Sequence, residues 1–395
     1  MIERKLLESL QHVEQSFLLL GPRQTGKTTL VDYLKPDVTI NLANEQTYLD
    51  FLKNPSELNE RLATGLDSKI FIDEIQRLPR LLNTIQFILD KDIIQSKKEK
   101  RKKSLQFFLT GSSARKLKRG GANLLPGRVF TYYLGPLTYE ELQREFRIKD
   151  YLEIGGLPGI YTEPNRENQI KLLRSYVATY LREEIQVEAL TKNIEGFARF
   201  LYVAAAYSGQ YLDLSKLSSE AQVPRQTAAR YFEILEETLV VSRCTSFSKS
   251  TRKRLIQHPK FYFFDIGVLN GALGNFSASQ DRKGYLFEHF IFNQCSALAF
   301  SHDLEPEVDF RISTFRTEHG AEIDFILELK GRVTALEVKA SSQISRSDLS
   351  GFRSFSEYFS KPHQKMIAYL GEHPKKIEEI EILPWKQALE KIFSE

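Results

Sequence analysis

Residues 21–28 read Gly-Pro-Arg-Gln-Thr-Gly-Lys-Thr, the spacing G-x-x-x-x-G-K-[ST] of a phosphate-binding loop. Such a loop binds phosphate by aiming successive backbone N–H groups at it from the start of a helix. The flanking residues supply that setting: Ser16-Phe17-Leu18-Leu19-Leu20 reads as a short apolar strand, and Thr29 to Leu34 as the first turns of a helix. In this frame Gly21, Pro22, Arg23, Gln24, Thr25, Gly26, Lys27, Thr28 and Thr29 wrap the phosphates of ATP. Lys27 reaches the β- and γ-phosphates, and the Thr28 hydroxyl binds Mg²⁺. A second apolar strand, Lys69-Ile70-Phe71-Ile72, ends in Asp73-Glu74. Asp73 is expected to hold Mg²⁺ through water, and Glu74 to orient or deprotonate the attacking water. A third strand, Ser104 to Leu109, runs into Thr110-Gly111-Ser112-Ser113, where Thr110 or Ser112 is placed to sense the γ-phosphate. Arg128, just before the strand Val129 to Leu134, is the candidate to touch the γ-phosphate from its own or a neighbouring subunit.

A second set of chemistry-bearing residues lies in the last third. Ala321 to Ile326 and Val333 to Lys339 read as strands joined by a turn at Lys330-Gly331-Arg332. Antiparallel pairing would bring Asp324 and Glu337 together, and Lys339, two residues beyond Glu337, projects from the same face. Two carboxylates and a lysine can hold Mg²⁺ and activate water for phosphodiester cleavage. Asp, a strand-length gap and Glu-x-Lys resemble the motif of PD-(D/E)xK nucleases. That resemblance implies Glu288, on a helix of about Gly284 to Leu298, as a further metal ligand beside Asp324 and Glu337, with Lys339 in the catalytic set. The bland reading is an internal salt-bridge network.

The elements that position these groups alternate strand and helix through the first third, which predicts an α/β fold with a parallel sheet covered by helices on both faces. The nucleotide is expected at the carboxyl ends of its strands. The order of phosphate loop, Ile-Phe-Ile-Asp-Glu, Leu-Thr-Gly-Ser-Ser, Gly-Arg and Pro-Leu-Thr-x-x-Glu resembles AAA-type ATP-binding proteins fused to a domain of unknown function, DUF4143. Two further segments resemble that family: Gly155-Gly156-Leu157-Pro158-Gly159, and Pro259-Lys260-Phe261-Tyr262-Phe263-Phe264-Asp265-Ile266-Gly267.

Between the two sites, a helix from Gln169 to Glu188 is expected to carry Leu172, Tyr176, Tyr180 and Ile185 on one face. Helices at 196–207, 216–221 and 225–237 and a strand at 239–244 then follow the order of a winged helix. Arg225, Gln226, Thr227 and Arg230 lie early on its second helix, where a DNA groove would be met, although such modules also serve as protein contacts. The boundaries expected are 1–145 for the ATPase, 146–255 for the helical and winged-helix region, and 256–395 for the nuclease-like region.

Composition narrows the classes. With 395 residues, 42% hydrophobic and 27% charged, the chain reads as a soluble globular protein of two or three domains. No apolar run approaches a membrane span, and the N-terminus leads into an amphipathic helix rather than a signal peptide. Cys244 and Cys295 lack metal-ligand spacing, so a reducing cytoplasm is expected. Net charge is only +4, but basic runs at 97–103, 115–119 and 252–254 could face phosphates. Three readings follow: a Mg²⁺-dependent ATPase driving DNA-associated modules, an ATP-gated switch acting on a protein, and an ATP-driven nuclease. A homo-oligomer would be required if Arg128 acts in trans.

Overall fold

A computed structural model describes residues 2–62, 68–99, 105–112, 125, 127–181, 194–248 and 258–394. The basic runs at 115–119 and 252–254, residues 100–103 of the first run, and Ile185 lie outside these. The chain divides into two compact units. The first holds residues 1–135 with 237–239 and 300–303; the second holds the remainder from Pro136 onward.

In the first unit, strands β1 (Ser16–Leu20), β2 (Val38–Asn41), β3 (Ser68–Asp73), β4 (Leu105–Gly111) and β5 (Val129–Tyr133) form one sheet in the order β2-β3-β4-β1-β5. All four pairings are parallel. β1 is buried along its whole length, and its side chains alternate between two cores. Phe17 and Leu19 pack with Leu30 and Val31, whereas Leu18 and Leu20 pack with Leu82 and Ile85. This is why β1 is continuously apolar: a parallel sheet with both faces covered has no polar side. The register Leu20↔Gly111 and Ile72↔Leu109 brings the carboxyl ends of β1, β3 and β4 to one edge.

The second unit has an eight-stranded sheet ordered β12-β13-β11-β10-β9-β8-β6-β7. Its strands are β6 (Val241–Ser246), β7 (Lys260–Phe263), β8 (Phe310–Arg316), β9 (Glu322–Leu329), β10 (Arg332–Lys339), β11 (Gln364–Tyr369), β12 (Lys375–Ile377) and β13 (Ile380–Pro384). The helix Ser350–Tyr358 buries Phe352 and Phe355 against Phe315, Ile323 and Ile326. On the other side the helix Gln280–Ser301 stacks Phe292 on Tyr262 with ring centres 4.2 Å apart.

The helices Ile194–Tyr207, Leu214–Glu220 and Arg225–Glu237 are followed by a β6–β7 antiparallel hairpin, the winged-helix order. Tyr231 and Phe232 face inward, Phe232 meeting Phe261 edge-on at 4.6 Å, while Arg225, Gln226 and Arg230 are exposed. The hairpin does not stand apart, because β6 also pairs in parallel with β8 through Thr245↔Ser313. The division at 255 therefore falls within one compact unit. Of the helix expected from Gln169 to Glu188, the described part is the helix Arg166–Ser175 passing into a π-helical turn over Tyr176–Leu181, and residues 182–188 lie outside the described residues.

The two family-like motifs explain one another. Asp265 caps the helix Ile266–Leu273, accepting from the Val268 N–H at 3.0 Å, and also accepts from the Gly156 N–H at 2.7 Å. Gly155 has φ +71°, and a Cβ there would lie 2.2 Å from Asp265 Oδ1. A Cβ on Gly267 would lie 2.1 Å from the Ile154 carbonyl oxygen. The Gly-Gly turn and the Asp-x-Gly turn are thus two halves of one close contact. Burial pushes the Asp265 carboxyl up to about 6 against the backbone N–H groups that favour its charge.

His289 is fully buried, with Nε2 on the Phe263 carbonyl at 2.7 Å and no partner for Nδ1. Desolvation pulls its pKa down from 6.5 to about 4, against the hydrogen bond to Phe263. The unfolded chain then binds the extra proton between these values. Stability from this group is complete above pH 6.5 and is lost as pH falls toward 4. His289→Gln, which keeps a donor for Phe263, should reduce the acid loss at pH 4.5 by about 2–3 kcal/mol. Trp385, the chain's only tryptophan, lies buried in the second unit and reports its urea unfolding. An unchanged stability difference between pH 7.5 and 4.5 would remove His289 as the acid-labile group.

Candidate functional site

The phosphate loop leaves β1 and enters the helix Lys27–Asp32 at Gly26. The Lys27 side chain folds back over it, Nζ donating to the carbonyls of Gly21 at 2.9 Å and Pro22 at 2.8 Å. Thr25 Oγ1 donates to the Pro22 carbonyl at 2.9 Å. The Thr28 hydroxyl lies 3.0 and 3.2 Å from the two Asp73 carboxylate oxygens. A hydroxyl and a carboxylate so close are the hard oxygen donors Mg²⁺ prefers beside a phosphate, so this pair could hold it.

β4 stands between β1 and β3, which puts Thr110 behind Asp73. Its hydroxyl donates to Asp73 Oδ1 and accepts from the Glu74 N–H at 3.2 Å. Thr110 thereby orients the acidic pair. Glu74 takes a left-handed backbone (φ 59°, ψ 44°), a conformation that costs a non-glycine residue about 1 kcal/mol or more. The turn projects its carboxylate away from the end of β3, 4.0 Å from Arg23 Nη2 and in contact with Gln76 Nε2. Gln76 Nε2 also donates to Ser112 Oγ at 3.0 Å. Ser112 is therefore linked to Glu74 through Gln76.

Arg128 is not brought to this site. The parallel register Ser16↔Val129 sets it level with Gln15, at the amino end of β5, a full strand away from the loop that follows Leu20. There its Nε pairs with Asp90 at 2.6 Å and its carbonyl accepts from Gln15. The expectation that it reaches the γ-phosphate within its own subunit is corrected by that register. Two positions the sequence reading passed over matter more. Arg4, nearly buried, donates from Nη1 to the Thr25 carbonyl at 2.6 Å and from Nη2 to the Gly135 carbonyl at 2.9 Å, bracing the loop. Gln76 positions Glu74. Neither carries a local motif; only the Gln76 position, two residues after Glu74, offered a hint.

In the second unit the structure brings Asp324 and Glu337 together. β9 and β10 pair antiparallel through Phe325↔Leu336, so the two acids follow on facing positions. The Val338 N–H donates to Asp324 Oδ2 at 2.8 Å, and the Asp324 N–H to Glu337 Oε2 at 3.4 Å. Lys339 Nζ donates to Glu337 Oε1 at 2.7 Å. Glu288 Oε1 accepts from the Tyr262 hydroxyl at 2.6 Å and from Lys260 Nζ at 3.2 Å. Lys260 Nζ also lies 2.8 Å from Glu322 Oε1. Burial, then Glu337 and Glu288, hold the Asp324 carboxyl well above the usual range. Burial likewise raises Glu337, against the pull of Lys339.

The expected metal set of Glu288, Asp324 and Glu337 does not fit a metal here. Among the described residues no group of three or more His, Cys, Asp or Glu is arranged to hold one. Glu288 Oε1, both Glu337 oxygens and Asp324 Oδ2 are taken by lysines, Tyr262 and backbone N–H groups, and Lys260, absent from the expected set, stands among them.

Similarity to known proteins runs in three successive stretches. Residues 13–143 match the model of an AAA domain, 145–279 a domain of unknown function (DUF8612) and 283–388 a domain of unknown function (DUF4143). An uncharacterized protein of Mycobacterium tuberculosis is 29% identical over 371 residues, covering 90% of this chain and 76% of that protein. An uncharacterized protein of Haemophilus influenzae is 23% identical over 352 residues, covering 78% and 82%. Among solved structures, the Aeropyrum pernix ORC2 protein in ADPNP–ADP complexes aligns with TM-score 0.35 and 13% identity, over 74% of this chain and 94% of that one. The loop, acidic strand end and sheet order define the first unit as a P-loop domain of the ATP-hydrolysing class. More narrowly, the chain carries an AAA domain followed by a DUF4143 domain. Among the described residues no helix is long and apolar enough to cross a membrane.

Proposed function

We propose that the chain is a Mg²⁺-dependent ATPase whose nucleotide cycle changes how the second unit engages DNA. The observation that carries the enzymatic half is the convergence of Thr28, Asp73 and Thr110 beside the phosphate loop, with Glu74 presented by a strained turn. Lys27 and the loop N–H groups bind the phosphates. Thr28 and Asp73 would hold Mg²⁺, which supplies charge neutralisation at the β- and γ-oxygens. Glu74 takes the proton of the attacking water.

Support for the DNA half is the exposed cationic start of the helix Arg225–Glu237, whose opposite face is buried by Tyr231 and Phe232. A second reading, an ATP-gated switch acting on a protein through an inert nuclease-like cluster, is favoured by Lys260 among the carboxylates. ATP turnover measured with duplex DNA across 50–200 mM salt, a range chosen because phosphate contacts respond steeply there, separates the two. DNA should stimulate turnover. Arg225→Ala/Arg230→Ala should lower the log–log salt slope of binding by about 2. Turnover indifferent to DNA, with no salt-dependent binding, would leave the protein-switch reading.

A further inference from the structure

Lys260 is the least expected member of the carboxylate cluster. It opens β7, only 5% of its side chain is exposed, and its ammonium reaches two acids from two elements, Glu288 on the long helix and Glu322 on β9. The Tyr211 ring lies 5.3 Å from Nζ, and Tyr211 also faces Arg316 at 4.9 Å. Burial alone would pull the ammonium's pKa down; Glu288, Asp324 and Glu322 outweigh it and hold the group charged.

We infer that Lys260 is a built-in cation: its ammonium supplies to Glu288, Glu322 and Asp324 the positive charge that a divalent metal supplies in a nuclease, so the cluster stands without a metal. Three observations support this. A buried lysine is strongly disfavoured unless paired, and this one is paired twice. Four of the acids' oxygens are spent on protein donors: Glu288 Oε1 on Lys260 and Tyr262, Glu337 Oε1 on Lys339, Glu337 Oε2 and Asp324 Oδ2 on backbone N–H groups. A Mg²⁺ or Mn²⁺ ion needs those oxygens, and placing it beside a buried ammonium adds like-charge repulsion. The cluster's consequence is mechanical: Lys260 ties β7 to the helix Gln280–Ser301 and to β9.

Mn²⁺ binding to the nucleotide-free full chain, counted by electron paramagnetic resonance, tests this without reference to ATP hydrolysis. Wild type and Asp324→Asn should bind Mn²⁺ equally, because Asp324 is not a ligand. Lys260→Met, which removes the charge at similar volume, should gain one site per chain with affinity at least about tenfold above wild type. That gain should vanish in Lys260→Met/Asp324→Asn. Wild-type binding that falls on Asp324→Asn overturns the inference, as does a folded Lys260→Met, judged by Trp385 fluorescence, that gains nothing. Should Lys260→Met fail to fold, the comparison of wild type with Asp324→Asn still decides.

Discussion

Glu74→Gln should bind ATP with Mg²⁺ and turn it over about 10²–10⁴-fold more slowly than wild type, the range lost with a general base. The substitution keeps shape and removes only the negative charge. Glu74 makes no packing contribution that glutamine lacks: its turn is held by the Thr110 hydroxyl on its N–H, and an amide oxygen can still accept from Gln76 Nε2. Lys27, Thr28 and Asp73 are untouched and the loop loses only the 4.0 Å pairing of Arg23 with Glu74, so binding survives while proton removal does not. Rapid-quench measurement of bound ATP against released phosphate separates the steps. Full turnover in Glu74→Gln would show that another group positions the water. Gln76→Ala is expected to be milder, since it frees the Glu74 side chain without removing the base.

Lys27→Ala should lose turnover by at least about 10²-fold, equivalent to about 3 kcal/mol, and weaken nucleotide binding with it. Lys27 is only 5% exposed, and its ammonium is held over the loop by the Gly21 and Pro22 carbonyls. In the proposed ATPase it would act as a point charge on phosphate oxygens in a site partly shielded from water, where one ammonium is worth far more than in solution. Arg4 cannot replace it, because both of its terminal nitrogens, Nη1 and Nη2, donate to the Thr25 and Gly135 carbonyls. Fluorescent-nucleotide titration would show the loss. Unaltered affinity together with unaltered turnover would reject the loop as the nucleotide site. The two variants differ in a telling way: Glu74→Gln should keep the wild-type affinity for ATP, and Lys27→Ala should lower it.

Much of the first unit was legible in the sequence because its chemistry is contiguous. An anion cradle is built from consecutive backbone N–H groups, so Gly21 to Thr28 carries its geometry within eight residues. The parallel sheet was legible in the same way, since continuous apolar runs such as Phe17 to Leu20 and Ile70 to Ile72 require cover on both faces. The order and facing of β9 and β10 followed from a short turn, which allows only antiparallel neighbours.

Other features depended on segments meeting from afar. Arg128 looked close to the nucleotide because it follows a glycine beside a strand, but the register of β5 on β1 sends it to the opposite end of the sheet. Arg4 bears on the phosphate loop only once the chain folds back to Gly135. β6 joins the C-terminal sheet through a pairing with β8 that spans about 70 residues and has no local signature. The sequence by itself determined a nucleotide loop with its acidic partner and a carboxylate pair on neighbouring strands. Tertiary structure alone decided what neutralises that pair's surroundings: Lys260 arrives there from β7, where charge balance in a medium of low polarity depends on which side chains meet in space, and spacing along the chain does not record it.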